Sequence, residues 1–223
     1  MTNSIKEKIN WSAIDTVLFD MDGTLLDLHY DNHFWQEYIP LVWGEREGLS
    51  HNEAKAALYP KFLEHHGSLQ WYCTDFWSEQ LNLDVMSLKR EIKHLIQIRP
   101  SVEDFLQWLK AQGKQLWITS NAHGDVVELK MAETGLAPWF DHLLTSHQFG
   151  HAKEKQAFWH AMQEQFPFDP TRTVFFDDSI PVLKSGEAYG LKHVVQMLHP
   201  DSKRGPNTPS FDLAIHHFSE LMA

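Results

Sequence analysis

Short apolar runs alternate with longer helical patterns through the second half of the chain, and this alternation predicts the architecture. Residues 16–19, 115–118 and 173–176 are apolar or β-branched runs that stop abruptly at polar residues. Parallel strands buried on both faces have this pattern where they deliver side chains to a ligand-binding edge. Residues 142–145 and 193–196 are weaker strand candidates. Between the runs, residues 102–112, 124–133, 155–165 and 180–189 have helical patterning, and Gly113, Gly135 and Gly190 close three of these segments. The expected fold is α/β, a doubly wound, Rossmann-like parallel sheet with its functional residues at the carboxyl ends of the strands.

Residues 28–98 break the alternation. They are rich in aromatics and helix formers and contain no convincing strand, so an inserted all-helical cap domain is expected there, with residues 1–27 and 99–223 forming the catalytic core. Pro100 lies just before the core pattern resumes and marks the return hinge. The tail from residue 199 to 210 collects Pro200, Gly205, Pro206 and Pro209, which predicts an irregular loop before a short final helix.

Charge and cysteine content narrow the function classes. Acidic residues outnumber basic ones 30 to 19, a formal net charge of -11, which argues against broad attraction to a nucleic acid polymer or an anionic membrane. One small anionic substrate stays compatible with that field if a metal ion, a lysine or a helix N-terminus supplies local positive charge. Cys73 is the single cysteine, so neither an intramolecular disulfide nor a cysteine metal cluster is expected, in keeping with a cytoplasmic location. No apolar run approaches the roughly 20 residues needed to span a bilayer, and residues 1–10 carry no signal-like core.

The first run exits into Asp20-Met21-Asp22-Gly23-Thr24, where two carboxylates flank one residue and a glycine permits a tight turn. Crowded carboxylates repel unless a divalent cation or a shared proton compensates, and Mg²⁺ suits oxygen ligands. A second acidic pair, Asp177 and Asp178, ends the run at 173–176. The run at 115–118 leads into Ser120 and Asn121, whose hydroxyl and free backbone N–H groups at a helix start form a natural phosphate cradle. Lys153 adds a compact positive charge. Each has a plainer alternative: an Asp-Gly turn, a helix cap at Ser120, Asp178 or Ser179, a solvated surface lysine. The fifteen histidines show no convincing ligand spacing.

In this order and spacing the residues resemble the haloacid dehalogenase superfamily, whose four motifs are matched in turn by Asp20/Asp22, Ser120, Lys153 and Asp177/Asp178. An insertion between the first two motifs resembles its helical-cap subclass. The resemblance implies a Mg²⁺-dependent phosphatase in which Asp20 attacks phosphorus and forms an aspartyl-phosphate. Asp22 would be the general acid and base. By the same resemblance the metal is held by the Asp20 carboxylate, the Asp22 backbone carbonyl and Asp178, with Asp177 in support, and the phosphoryl oxygens by Ser120, Asn121 and Lys153.

The cap segments around residues 27–35 and 70–77, together with residues 120–123 and 149–153, resemble a bacterial branch of the superfamily, the GMP/IMP nucleotidases. That resemblance implies a purine nucleoside 5′-monophosphate as the small-molecule substrate. Trp35, Trp71 or Tyr72 could stack on a purine, and Asp31 or Asn32 could hydrogen-bond to its edge or to the ribose. The same aromatics would also suit the core of a small helical module. A sugar-phosphate phosphatase or phosphomutase, a 2-haloacid dehalogenase and a non-catalytic binding protein stand as alternatives.

Overall fold

The structure is a computed structural model that describes residues 5–222; residues 1–4 and 223, assigned to the core from sequence, lie outside the described residues. Six parallel strands form one sheet in the order β3-β2-β1-β4-β5-β6. They are β1 (Thr16–Phe19), β2 (Gln115–Ser120), β3 (His142–Thr145), β4 (Thr173–Asp177), β5 (His193–Met197) and β6 (Ala214–Ile215). The chain winds outward from β1 through β2 to β3 on one side and from β4 through β5 to β6 on the other. The reversal falls between β1 and β4, and the crevice at such a switch point is where open α/β sheets bind ligands.

Both faces of the sheet are covered, which is why the strands read as unbroken apolar runs. Val17 and Phe19 of β1 point into one core with Ile118 of β2, Phe176 of β4 and Phe105 of the helix α6 (Val102–Ala111). Leu18 points the other way, into a second core with Phe175 and Trp159. Phe19 stacks on Phe176 at 5.2 Å between ring centroids, and Phe105 and Phe218 pack against the pair edge-on. Burying each such ring stabilises the fold by about 1.5–3 kcal/mol, so the switch point rests on a rigid floor.

Between β1 and α6 the described residues contain helices and turns but no strand. They are α1 (His29–His33), a π-helical turn (Phe34–Tyr38), α2 (Ile39–Glu47), α3 (His51–His65), α4 (Thr74–Leu81) and α5 (Val85–Glu91). This is the inserted helical cap. Pro40 has no N–H to return to the carbonyl four residues back, a local cause for the widened turn between α1 and α2. A capping box starts α3, Ser50 accepting from the Glu53 N–H while the Glu53 carboxylate accepts from the Ser50 N–H. The two connectors between cap and core run side by side: the Asp27 N–H donates to the Gln97 carbonyl and the Arg99 N–H to the Leu25 carbonyl, both at 2.9 Å.

The remaining helices are α7 (Gly124–Thr134), α8 (Ser146–Phe149), α9 (Gln156–Gln165) and α10 (Ile180–Tyr189). Two features of the tail differ from expectation. The irregular loop after β5 ends in the short strand β6, which pairs with Gln196 and Met197. The expected final helix is a single 3₁₀ turn, Phe218–Glu220, held where Glu220 accepts from the His216 and His217 N–H groups.

Candidate active site

The switch point delivers acidic side chains from β1 and β4 to one place. The Asp20 N–H donates to the Phe176 carbonyl at 2.8 Å, extending the β1–β4 ladder one residue and fixing Asp20 at the strand exit. Lys153, from the loop before α9, is 1 % exposed and donates to Asp20 Oδ1 at 2.6 Å and to Asp177 Oδ2 at 2.7 Å. Asp177 Oδ1 also accepts from the Ser179 N–H at 2.8 Å, so both of its oxygens have partners. Asp178 completes the group: one carboxylate oxygen from each of Asp20, Asp177 and Asp178 lies within 4.8 Å of the others.

Electrostatics make this cluster incomplete as a purely protein site. Burial pushes Asp20 up to about 7, with Lys153 opposing and Asp177 adding repulsion. Burial also raises Asp178 well above the carboxylate range, with repulsion from Asp177 and Asp20 added. Three carboxylates converge where Lys153 pairs with two of them, Asp20 and Asp177. Hard oxygen donors converging with uncompensated negative charge fit a divalent cation such as Mg²⁺. Gly23 shapes the same corner. Its φ is +88°, and a Cβ there would sit 2.7 Å from Asp178 Cγ, so a side chain is excluded both by conformation and by the carboxylate.

Ser120 ends β2 and its Oγ accepts from the Ala122 N–H at 3.0 Å, a bond within the turn; the residue at the N-cap of α7 is His123. Asn121 Oδ1 accepts from the Lys153 N–H at 2.9 Å, and its Nδ2 donates to Glu154 at 3.0 Å. Its side chain therefore braces the lysine loop, while its backbone N–H is a donor it can offer a ligand.

Asp22 leaves the turn on the cap side, where its Oδ1 accepts from Lys130 at 2.5 Å. Burial raises its carboxyl to about 7, Lys130 opposing and Asp31 and Asp20 adding repulsion. A cavity of about 1100 Å³ extends from Asp20, Asp22, Ser120 and Lys153 into the cap, and all five cap candidates, Asp31, Asn32, Trp35, Trp71 and Tyr72, line it. The rings of Trp35 and Trp71 stack at 6.4 Å and pack on Phe62 and Trp77, so they serve the cap core and line the cavity together. The polar candidates are engaged across the cleft. Tyr72 donates to Glu154 at 2.8 Å, Asn32 to Asp201 at 2.7 Å, and Asp31 accepts from Lys130 and Lys89.

Sequence reasoning missed Lys130, Lys89, Glu154 and Arg99. The buried face of α7 is Val126, Val127, Lys130 and Met131, and that of α5 is Val85, Met86 and Lys89. A lysine at helical spacing on an apolar face was the available signal. Arg99 had none: its guanidinium donates to four carbonyls, of Gly23, Thr24, His199 and His216, that only the fold brings together.

An open parallel sheet carrying an acidic cluster, a buried lysine and a helical cap over the switch point defines an enzyme that handles a small anionic ligand. Residues 14–190 match the model of the haloacid dehalogenase-like hydrolases. The GMP/IMP nucleotidase YrfG of Escherichia coli (strain K12) is 41 % identical over 194 residues, 87 % of each chain. A crystal structure of a HAD phosphatase from Thermococcus onnurineus superposes with a TM-score of 0.79 at 23 % identity, covering 93 % of this chain and 96 % of that one. The L-2-haloacid dehalogenase from Xanthobacter autotrophicus shares the fold with a TM-score of 0.62 at 16 % identity, covering 93 % and 96 %. The chain belongs to the haloacid dehalogenase-like hydrolase family, and it is an enzyme, a phosphatase of that family acting on a small-molecule phosphate. Among the described residues no helix is long and apolar enough to cross a membrane.

Proposed function

We propose that the enzyme hydrolyses purine nucleoside 5′-monophosphates such as GMP and IMP, in the cytoplasm, by a Mg²⁺-dependent double displacement on Asp20. The observation that carries the chemistry is the Lys153 ammonium held between Asp20 and Asp177 in the lining of the cavity. The identity with the GMP/IMP nucleotidase supports the substrate. In this assignment residues 1–27 and 99–223 are the catalytic core and residues 28–98 the cap that selects the leaving group.

Asp20 attacks phosphorus while Asp22 gives a proton to the departing O5′. Water then attacks the phosphorus of the aspartyl-phosphate and gives its proton to Asp22 as the bond between phosphorus and the Asp20 oxygen breaks, releasing inorganic phosphate and the free Asp20 carboxylate. Lys153, the Ser120 hydroxyl and the Asn121 backbone N–H hold the phosphoryl oxygens and offset the charge that shifts during transfer. Mg²⁺ would be held by the Asp20 and Asp178 carboxylates and the Asp22 carbonyl, with Asp177 in support through Lys153, and would neutralise phosphoryl charge. Trp35 and Trp71 present an aromatic wall suited to a purine.

Initial rates on a panel of nucleotides and sugar phosphates, with Mg²⁺ and with a chelator, test this. GMP and IMP should have the highest kcat/KM, and the chelator should abolish turnover. Preference for a sugar phosphate would overturn the substrate, and full activity in chelator would overturn the metal.

A further inference from the structure

Lys130 stands in α7 of the core with its side chain 1 % exposed, and its ammonium donates to Asp22 Oδ1 and to Asp31 Oδ2, each at 2.5 Å. Asp31 belongs to α1 of the cap, and its Oδ1 accepts from Lys89 of α5 at 3.1 Å. Asp22, Lys130, Asp31 and Lys89 thus alternate carboxyl and ammonium from the core into the cap. The Tyr30 ring lies 5.0 Å from the Lys130 ammonium and 5.1 Å from that of Lys89. Burying a lysine costs several kcal/mol unless its partners compensate, and packing alone would favour an apolar residue beside Val126, Val127 and Met131. The charge at position 130 is explained by what it binds.

We propose that Lys130 is a positioning residue for Asp22, and that Asp31 makes this positioning depend on the cap being seated over the core. Its role rests on the proposed function of Asp22. An ammonium has three N–H donors; two are spent on carboxylates and the third side is covered by Tyr30, so Lys130 acts through Asp22 and not on the substrate. Asp22 lines the cavity, and among the described residues no hydrogen bond reaches its Oδ2. With Oδ1 fixed, Oδ2 is the oxygen that exchanges protons. As the bond from Asp20 to phosphorus forms and the bond from phosphorus to the leaving oxygen breaks, the Oδ2 proton passes to that oxygen. The attacking water later restores it. Without Lys130, repulsion from Asp31 and Asp20 turns the Asp22 carboxyl out of line.

The test compares kcat/KM, which covers steps up to departure of the leaving group, for GMP and for p-nitrophenyl phosphate, whose leaving group needs no proton. For Lys130→Met, kcat/KM for GMP, or for the alkyl phosphate the panel favours, should fall by about 30- to 100-fold. For p-nitrophenyl phosphate it should fall by less than about threefold. In an Asp22→Asn background the Lys130→Met change should lower the GMP value no further. Asp31→Asn, the milder variant should Lys130→Met fail to fold, should show the same substrate split at about 5- to 10-fold. Equal losses on both substrates, or full additivity with Asp22→Asn, would overturn the positioning role. Asp20→Asn separates the two levels: if it is inactive on p-nitrophenyl phosphate, the phosphatase mechanism stands whatever Lys130 does, and if it is active both fall.

Discussion

The Lys153 ammonium sits 2.6 Å from Asp20 Oδ1 and 2.7 Å from Asp177 Oδ2, one buried cation bridging carboxylates from two strands. Removing it leaves two buried carboxylates without their partner. Lys153→Met should lower turnover of p-nitrophenyl phosphate by at least about 10²-fold and destabilise the fold by about 3 kcal/mol. Lys153→Arg should not rescue activity, because a planar guanidinium cannot take the place of a compact ammonium enclosed at 1 % exposure. Initial rates together with urea unfolding check both statements.

Gly23 connects the backbone of the first acidic turn to the second acidic pair. In Gly23→Ala the methyl would meet the Asp178 carboxylate at 2.7 Å while the backbone keeps φ near +88°. The Mg²⁺ concentration giving half-maximal activity should rise by at least about tenfold, with about 1–3 kcal/mol of lost stability. A Mg²⁺ titration of activity alongside a thermal melt separates the two effects.

Arg99 ties the turn after Asp20 to His199 in the loop after β5 and to His216 just past β6, through four carbonyls. Arg99→Met leaves these acceptors unpaired in a site where Arg99 is 6 % exposed, and should cost about 2–4 kcal/mol. Chemical denaturation measures it. A cost under about 0.5 kcal/mol would mean that water replaces the guanidinium.

His147 is held neutral. Burial, then the neighbouring His123, lowers its pKa from 6.5 to about 4. Between those values the unfolded chain binds the proton and the folded one does not, so stability falls as pH drops from 6.5 towards 4. The loss is on the order of 2 to 3 kcal/mol. His147→Leu should flatten this part of the profile, read as the urea midpoint at about pH 7.5 and about pH 4.5. An unchanged slope would count against His147 as its source.

The strands and the acidic motifs were legible because they are local. An apolar run buried on both faces, ended by a carboxylate, carries its meaning within a few residues, and 16–19 and 173–176 announced both β1 and β4 and the acids at their exits. The strand β6 has two residues, Ala214 and Ile215, and owes its existence to the exposed edge of β5. No periodicity can encode that. Ser120 and Lys153 were singled out through the order of motifs and both line the cavity, whereas the Asn121 side chain braces the lysine loop. Lys130, Asp31 and Lys89 acquire meaning only when the cap closes over α7, since 99 positions separate Lys130 from Asp31. The aromatic cap residues stayed ambiguous for a physical reason: Trp35 and Trp71 pack the cap core and line the cavity with the same rings.

Direct trapping tests whether Asp20 carries the phosphoryl group, as the proposed double displacement requires. Enzyme mixed with Mg²⁺ and [³²P]GMP, quenched in acid within one turnover and digested, should carry the label on the peptide containing Asp20. Asp20→Asn should carry none. Label on another residue, or turnover with no protein-bound phosphate at any quench time, would contradict the covalent mechanism.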